Sequence, residues 1–111
     1  MSLVSKSQII LDTLNTVTGL KHFHLFKPAS VKAPYAVWQE DSEGQSFHAS
    51  NRKVEQVLVV TIDYYTQEEF DASVDSIQDA LSESGVAWRL DSFQYEQETQ
   101  LLHYEWLCEV I

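Results

Sequence analysis

Residues 55 to 66 read EQVLVVTIDYYT, and the alternation within this run decides the fold. Its even positions Leu58, Val60, Ile62 and Tyr64 form one continuous apolar face, the pattern of a strand packed on a core. The odd positions Val57, Val59, Thr61, Asp63 and Tyr65 turn polar only partway along. A second face of that composition expects a cover, either another element of the fold or another subunit.

On the C-terminal side of the strand, Thr66 has the chemistry of a helix N-cap, with Glu69 three residues on completing a capping box. Phe70, Val74, Ile77 and Leu81 then make an apolar stripe that Gly85 ends, so the spacing predicts a helix. Its outer side carries Asp71, Asp75, Asp79 and Glu83, which reads as a solvated face or an electrostatic contact surface. The closing run VAWRLDSFQYEQETQLLHYEWLCEVI predicts a hairpin turning near residues 96–100. In its first strand the apolar phase moves from Val86, Trp88 and Leu90 to Phe93 and Tyr95, the signature of a bulge at Asp91 and Ser92. In its second, Leu102, Tyr104, Trp106, Cys108 and Val110 alternate cleanly with His103, Glu105 and Glu109.

On the N-terminal side, Ile10, Leu11, Leu14 and Val17 predict an amphipathic helix over about residues 4–18, with Lys6, Asp12, Thr13 and Asn15 elsewhere on the wheel and Gly19 ending it. A short strand follows in LKHFHLFKP, and a second in YAVWQE from Tyr35. Between that strand and the central one lies DSEGQSFHASNRK, whose composition marks a loop or an extended hairpin arm. It is long for a hairpin connection, which uses about two to five residues. The order α-β-β-β-α-β-β predicts an α+β domain over residues 1–111. Its expected architecture is a mostly antiparallel sheet with two helices on one face and a long loop between the second and third strands.

Thirteen aromatic residues in 111 give the chain enough large apolar side chains for one core. The net charge of -10 is unevenly placed: residues 1–39 carry four lysines and one aspartate, residues 40–111 sixteen acids and three bases. No cluster of Lys and Arg invites nucleic acid, whereas a dipolar subunit suits head-to-tail self-association. One cysteine excludes an internal disulfide and fits a reducing compartment. No apolar run approaches a membrane span, and the N-terminus lacks a signal-like core, so a cytosolic protein is expected.

Side-chain chemistry for catalysis is sparse. His22 and His24 share one side of a strand, but with His48 or His103 they make no diagnostic metal spacing. Cys108, between Trp106 and Val110, reads as a small buried hydrophobe. No Gly-x-Ser-x-Gly elbow or phosphate-binding loop is present. No enzyme, no metal and no cofactor is expected. A sheet backed by helices leaves open a regulatory module whose pocket is lined by Trp38, Trp88 and Trp106.

Several stretches together resemble a known class. They are the leading helix, Pro34-Tyr35-Ala36-Val37 running into an acidic loop, VTIDYY at 60–65, Glu68-Glu69-Phe70-Asp71 with the later Ile77-Gln78-Asp79-Ala80-Leu81, and His103-Tyr104-Glu105-Trp106. The chain resembles prophage-encoded tail-completion and tail-terminator proteins, which join head to tail in long-tailed bacteriophages. The resemblance implies a structural protein that assembles with itself as a ring, typically a hexamer, capping the tail tube and meeting the head-completion or connector protein. It also implies neither sequence-specific nucleic-acid binding nor a membrane, with assembly in the bacterial host cytoplasm and a final place at the head-tail junction of the virion. Another neck or head-closure protein fits the same pattern. The expected contact residues are Glu40, Asp41, Glu43, Phe47, Arg52 and Lys53 in the loop and Val57, Val59 and Tyr65 on the strand. Deleting residues 42–51 is expected to leave a folded monomer that no longer assembles.

Overall fold

The alternating run folds as the middle strand of a five-stranded sheet. The computed structural model describes residues 1–44, 47–49 and 52–111. In chain order the elements are α1 (Leu3–Asn15), β1 (His22–His24), β2 (Tyr35–Glu43), β3 (Phe47–Ala49), β4 (Arg52–Glu55), β5 (Leu58–Thr66), α2 (Ala72–Glu83), β6 (Ala87–Glu96) and β7 (Leu101–Val110). The main sheet runs β1-β2-β5-β7-β6, antiparallel except for the parallel β1–β2 pair, while β3 and β4 form a separate two-stranded sheet.

Register puts the apolar halves of the strands on one side. Trp38 of β2, Ile62 of β5, Trp106 of β7 and Leu90 of β6 lie in one row, and Ala36, Tyr64, Tyr104 and Phe93 in the next. Both helices cover this side: Ile10, Leu14, Ile77 and Leu81 join Val60, Ile62, Trp106 and Cys108 in a core closed to solvent. The expected bulge is present, as the β6–β7 register shifts between Leu90 and Ser92 and keeps Phe93 and Tyr95 on the same side as Trp88 and Leu90. A second shift, between Glu40 and Ser42, lies in β2.

The helix ends follow local chemistry. Ser2 caps α1 by accepting from the Ser5 N–H at 3.1 Å. Helix α2 ends in a Schellman motif: Gly85 takes φ 77°, its N–H reaches the Ser82 carbonyl, and the Val86 N–H reaches that of Leu81. Gly85 is needed there because a Cβ strains that backbone conformation.

Five expectations are corrected. The capping box at Thr66 and Glu69 does not form. Thr66 stays in β5 and accepts from the Glu68 N–H, Phe70 turns left-handed with φ 57°, and Asp71 becomes the N-cap by accepting from the Ser73 N–H at 2.8 Å. Phe70 therefore leaves the helix stripe and is 96% exposed, and Asp71 leaves the acidic ladder, being buried. Lys6 and Thr13 are not on the solvent side of α1: Lys6 is 4% exposed with its Nζ donating to the Gln56 carbonyl, and Thr13 donates to the Ile9 carbonyl. α1 ends at Asn15, before Gly19.

The long connection is strand on both flanks. β2 runs through Asp41 to Glu43, still paired with β5, and the Gly44 N–H donates to the Val57 carbonyl at 2.7 Å. The fit is close, since a Cβ on Gly44 would lie 3.1 Å from Val57 Cγ1. Beyond it β3 pairs with β4, Phe47 opposite Glu55 and His48 opposite Lys53. The strand read over 55–66 thus divides, with Glu55 in β4 and the core strand starting at Leu58.

Candidate functional site

The side of the sheet away from the helices is where backbone regularity meets uncovered chemistry. Its rows run Tyr35–Tyr65–His103–Gln94, Val37–Asp63–Glu105–Ser92, Gln39–Thr61–Leu107–Arg89 and Ser42–Val59–Glu109–Ala87 across β2, β5, β7 and β6. Among the described residues no helix lies over these rows, although Val37, Val59, Tyr65 and Leu107 put apolar atoms on them. The side chains fill the space by contacting one another within the plane of the face.

At one end a ring stack spans three strands. Tyr35 and Tyr65 lie 5.1 Å apart, and Tyr65 stacks on His103 at 4.2 Å and 18°. His103 Nε2 is 2.7 Å from Asp63 Oδ1 and its Nδ1 is 3.2 Å from Glu96 Oε2. Carboxylates only accept, so both contacts are hydrogen bonds together only when both ring nitrogens carry a proton. Burial, then the charges of Asp63 and Glu96, push the Tyr65 hydroxyl up to about 12, and burial with Glu96 also raises Tyr35. Neither phenol is poised to act as a base. Lys27 Nζ sits 5.3 Å from the Tyr35 ring centre. Farther along, Thr61 donates to Asp41, and the Ser92 hydroxyl lies 3.3 Å from Glu105.

The residues singled out in the sequence divide between the two sides. Val59, Tyr65 and Asp41 belong to the open face. Glu40 does not: opposite Val60, it turns toward α1, accepting from Ser7 at 2.7 Å and lying 2.6 Å from His24 Nε2. Burial opposes its ionisation, but the bonds to His24 and Ser7 outweigh that and hold its carboxyl below the usual range. Val57 is buried, and Glu43 accepts from Gln56 at 3.1 Å. Phe47 lies on β3 and Arg52 and Lys53 on β4, and their side chains fall outside the described residues.

Ser7, Glu40 and His24 are in contact, with the Glu40 carboxylate standing between hydroxyl and imidazole and accepting from Ser7. His22 Nε2 lies 2.8 Å from Asn15 Oδ1, and among the described residues no three His, Cys, Asp or Glu side chains gather as a metal site. Burial pushes the Cys108 thiol up to about 12, which leaves it inert.

The three tryptophans do not share a pocket. Trp106 is closed off in the core with its Nε1 donating to Gln78 at 3.0 Å, and Trp88 Nε1 reaches Ser82 at 2.9 Å. Trp38 stacks under His24 at 4.0 Å beside a groove of about 300 Å³, and its Nε1 has no partner among the described residues. A larger hollow of about 540 Å³ is a shallow depression lined by Gln67, Glu69, Tyr95, Gln100 and Leu102. Sequence reasoning missed the apolar surface beside it. Phe93 and Tyr95 continue the core side of β6 but outrun the helices, and with Phe70 they stand exposed. The signal was in the order of elements, because α2 is only twelve residues long and leaves bare the far end of a hairpin whose strands are ten residues each.

No helix among the described residues is long and apolar enough to cross a membrane. No family model matches the chain, and no curated protein does. Among solved structures, the chain is similar to one in the virion of a native gene transfer agent particle, with a TM-score of 0.62 and 10% sequence identity. The match covers 90% of this chain and 88% of that one, so the likeness is one of fold along nearly the whole length of both.

Proposed function

We propose that this chain is a structural subunit of a phage-like particle, and within it a tail-completion or tail-terminator protein that forms a ring on the end of the tail tube and meets the head connector. The observation that carries the reading is the shared fold with a virion chain over nearly all of both molecules. The surface supports it, because a flat, half-apolar sheet face without a deep pocket suits a protein partner better than a small ligand. In this reading the protein acts through contacts and not through bond chemistry. The open face around Val37, Val59, Tyr65 and Leu107, together with the β3–β4 arm, supplies contacts within the particle.

The test uses tubes assembled from a cognate tail-tube protein. The purified chain should bind at one tube end, visible by negative-stain electron microscopy, and should stop further growth. Binding along the tube sides, or none at either end, overturns the reading.

A further inference from the structure

Away from the two chain termini, the exposed large apolar side chains among the described residues gather at two places. Leu25 (57% exposed) and Phe26 (72%) lie where the chain leaves β1, one edge of the sheet; Leu90, Phe93 and Tyr95 lie on β6, the other edge, with Phe70 beside Phe93 around a small hollow. Exposed apolar groups concentrated in this way mark contact surfaces. The charges around them are opposite. Residues 13–39 contain three lysines and no acid, and Lys21 Nζ donates to the Lys32 carbonyl at 2.7 Å, which sets those two lysines together beside β1. Around the β6 surface stand Glu69, which lines the hollow with Phe70 and Phe93, and Glu98 in the hairpin turn beyond Tyr95, while Asp91 and Glu96 of β6 are engaged by Arg89 at 3.3 Å and His103 at 3.2 Å.

We infer that the β1 edge of one copy of this chain docks on the β6 edge of the next, Leu25 and Phe26 meeting the Phe70–Phe93–Tyr95 surface while Lys21 and Lys32 meet the acids around it. The occupant of each patch is a second copy because each supplies what the other lacks: apolar groups on both sides and opposite charge at the rim. The patches are different surfaces on opposite edges of one sheet, so the contact is heterologous and repeats from copy to copy, closing a ring where the rotation allows. β6 also presents a ten-residue backbone edge with no strand paired to it among the described residues, which docking would cover. This inference rests on the ring reading above and names the copy-to-copy contact within it, leaving the open face to other components.

Charge reversal tests it without touching the core. Lys21→Glu with Lys32→Glu reverses one edge, and Glu69→Lys with Glu98→Lys reverses the other, all four being exposed positions. In sedimentation at low salt the unaltered chain should self-associate, and either double variant alone should do so about tenfold more weakly or worse. Mixing the two variants should restore association, since every junction then joins opposite charges, and raising the salt should shrink all these differences. Circular dichroism unchanged from the parent excludes misfolding as the cause. Variants that associate as the parent does, a mixture that fails to recover, or a parent that stays monomeric at low salt overturns the inference. Capping of tail tubes by the parent is read separately, so the ring-edge contact fails independently of the particle assignment.

Discussion

The two sides of one sheet differ in composition: the helix side is apolar with few exceptions, and the open side mixes apolar, aromatic and charged residues. On the helix side Val60, Ile62, Trp106 and Cys108 have no solvent contact, and their strand neighbours are apolar except for Glu40 opposite Val60. On the open side apolar residues alternate with Asp63, Glu105 and Glu109, and stability comes from ring stacking and short polar bonds within the face. The contrast teaches that alternation keeps the second side regular, while among the described residues only the first side is closed by helices.

The comparison breaks hardest at Trp106. Its indole fills the middle of the covered side, stacks near Tyr104 at 6.0 Å and satisfies its nitrogen on Gln78. Trp106→Ala should cost about 3–5 kcal/mol, read as a lowered urea midpoint, because both packing and cavity terms apply. No substitution on the open side should approach that.

Asp71 ranks next, because one buried carboxylate joins the sheet to α2. It accepts from the Ser73 N–H as N-cap and from the Tyr64 hydroxyl at 2.7 Å. Asp71→Ala should cost about 1–3 kcal/mol. The hydroxyl of Tyr64 should also titrate lower than its present value of about 12, because its bond to Asp71 and the charge of Asp71 add to the effect of burial. The pH dependence has a definite sign. Burial would raise the carboxyl of Asp71, but bonds from Tyr64 and Ser73 prevail and lower it, as those from His24 and Ser7 do for Glu40. Groups depressed in the folded state add stability above their unfolded values, near about 4, and lose it as pH falls through the folded ones. Acid unfolding followed by fluorescence should therefore begin below that range, and Asp71→Asn should flatten it.

Period-two alternation is what made the sheet legible. It gave the parity of β5 and β7, the bulge at Asp91 and the position of the final turn, because a one-residue slip would have exposed a whole row. The same parity places Glu40 with Ala36 and Trp38 on the helix side, and its charge alone had suggested the opposite. The start of α2 was not legible, since Thr66 and Glu69 satisfy the capping pattern locally while pairing of Thr66 with Leu102 keeps it in the sheet. Nor was Lys6, whose partner is a backbone carbonyl fifty residues away and leaves no trace in helical spacing. Contact surfaces are harder still to read, because exposure of Phe70 and Phe93 depends on where α2 stops and not on their own neighbours in sequence.

Adjacent residues give the finest comparison of the two sides. Val60 and Val59 are identical in size and strand, and point opposite ways. Val60→Thr places a hydroxyl in the closed core and should cost about 1–3 kcal/mol. Val59→Thr should stay within about 0.5 kcal/mol. Equal losses in denaturant would mean that the open face is covered in the isolated chain.

The arm should affect stability least and assembly most. It leaves the sheet where Gly44 meets Val57, so the main sheet is already closed before β3 begins. Replacing residues 45–55 with Asn-Gly keeps Glu43, Gly44, Gln56 and the carbonyl that receives Lys6, and converts the connection into a short hairpin turn. Shortening a loop changes closure entropy only slowly, so the monomer should shift by less than about 1 kcal/mol. If the arm reaches a neighbour in the particle, the shortened chain should nevertheless lose tube capping while keeping the edge-to-edge self-association of the parent. Loss of both would place the arm in the copy-to-copy contact. Loss of neither would leave the open face as the surface that meets the tube.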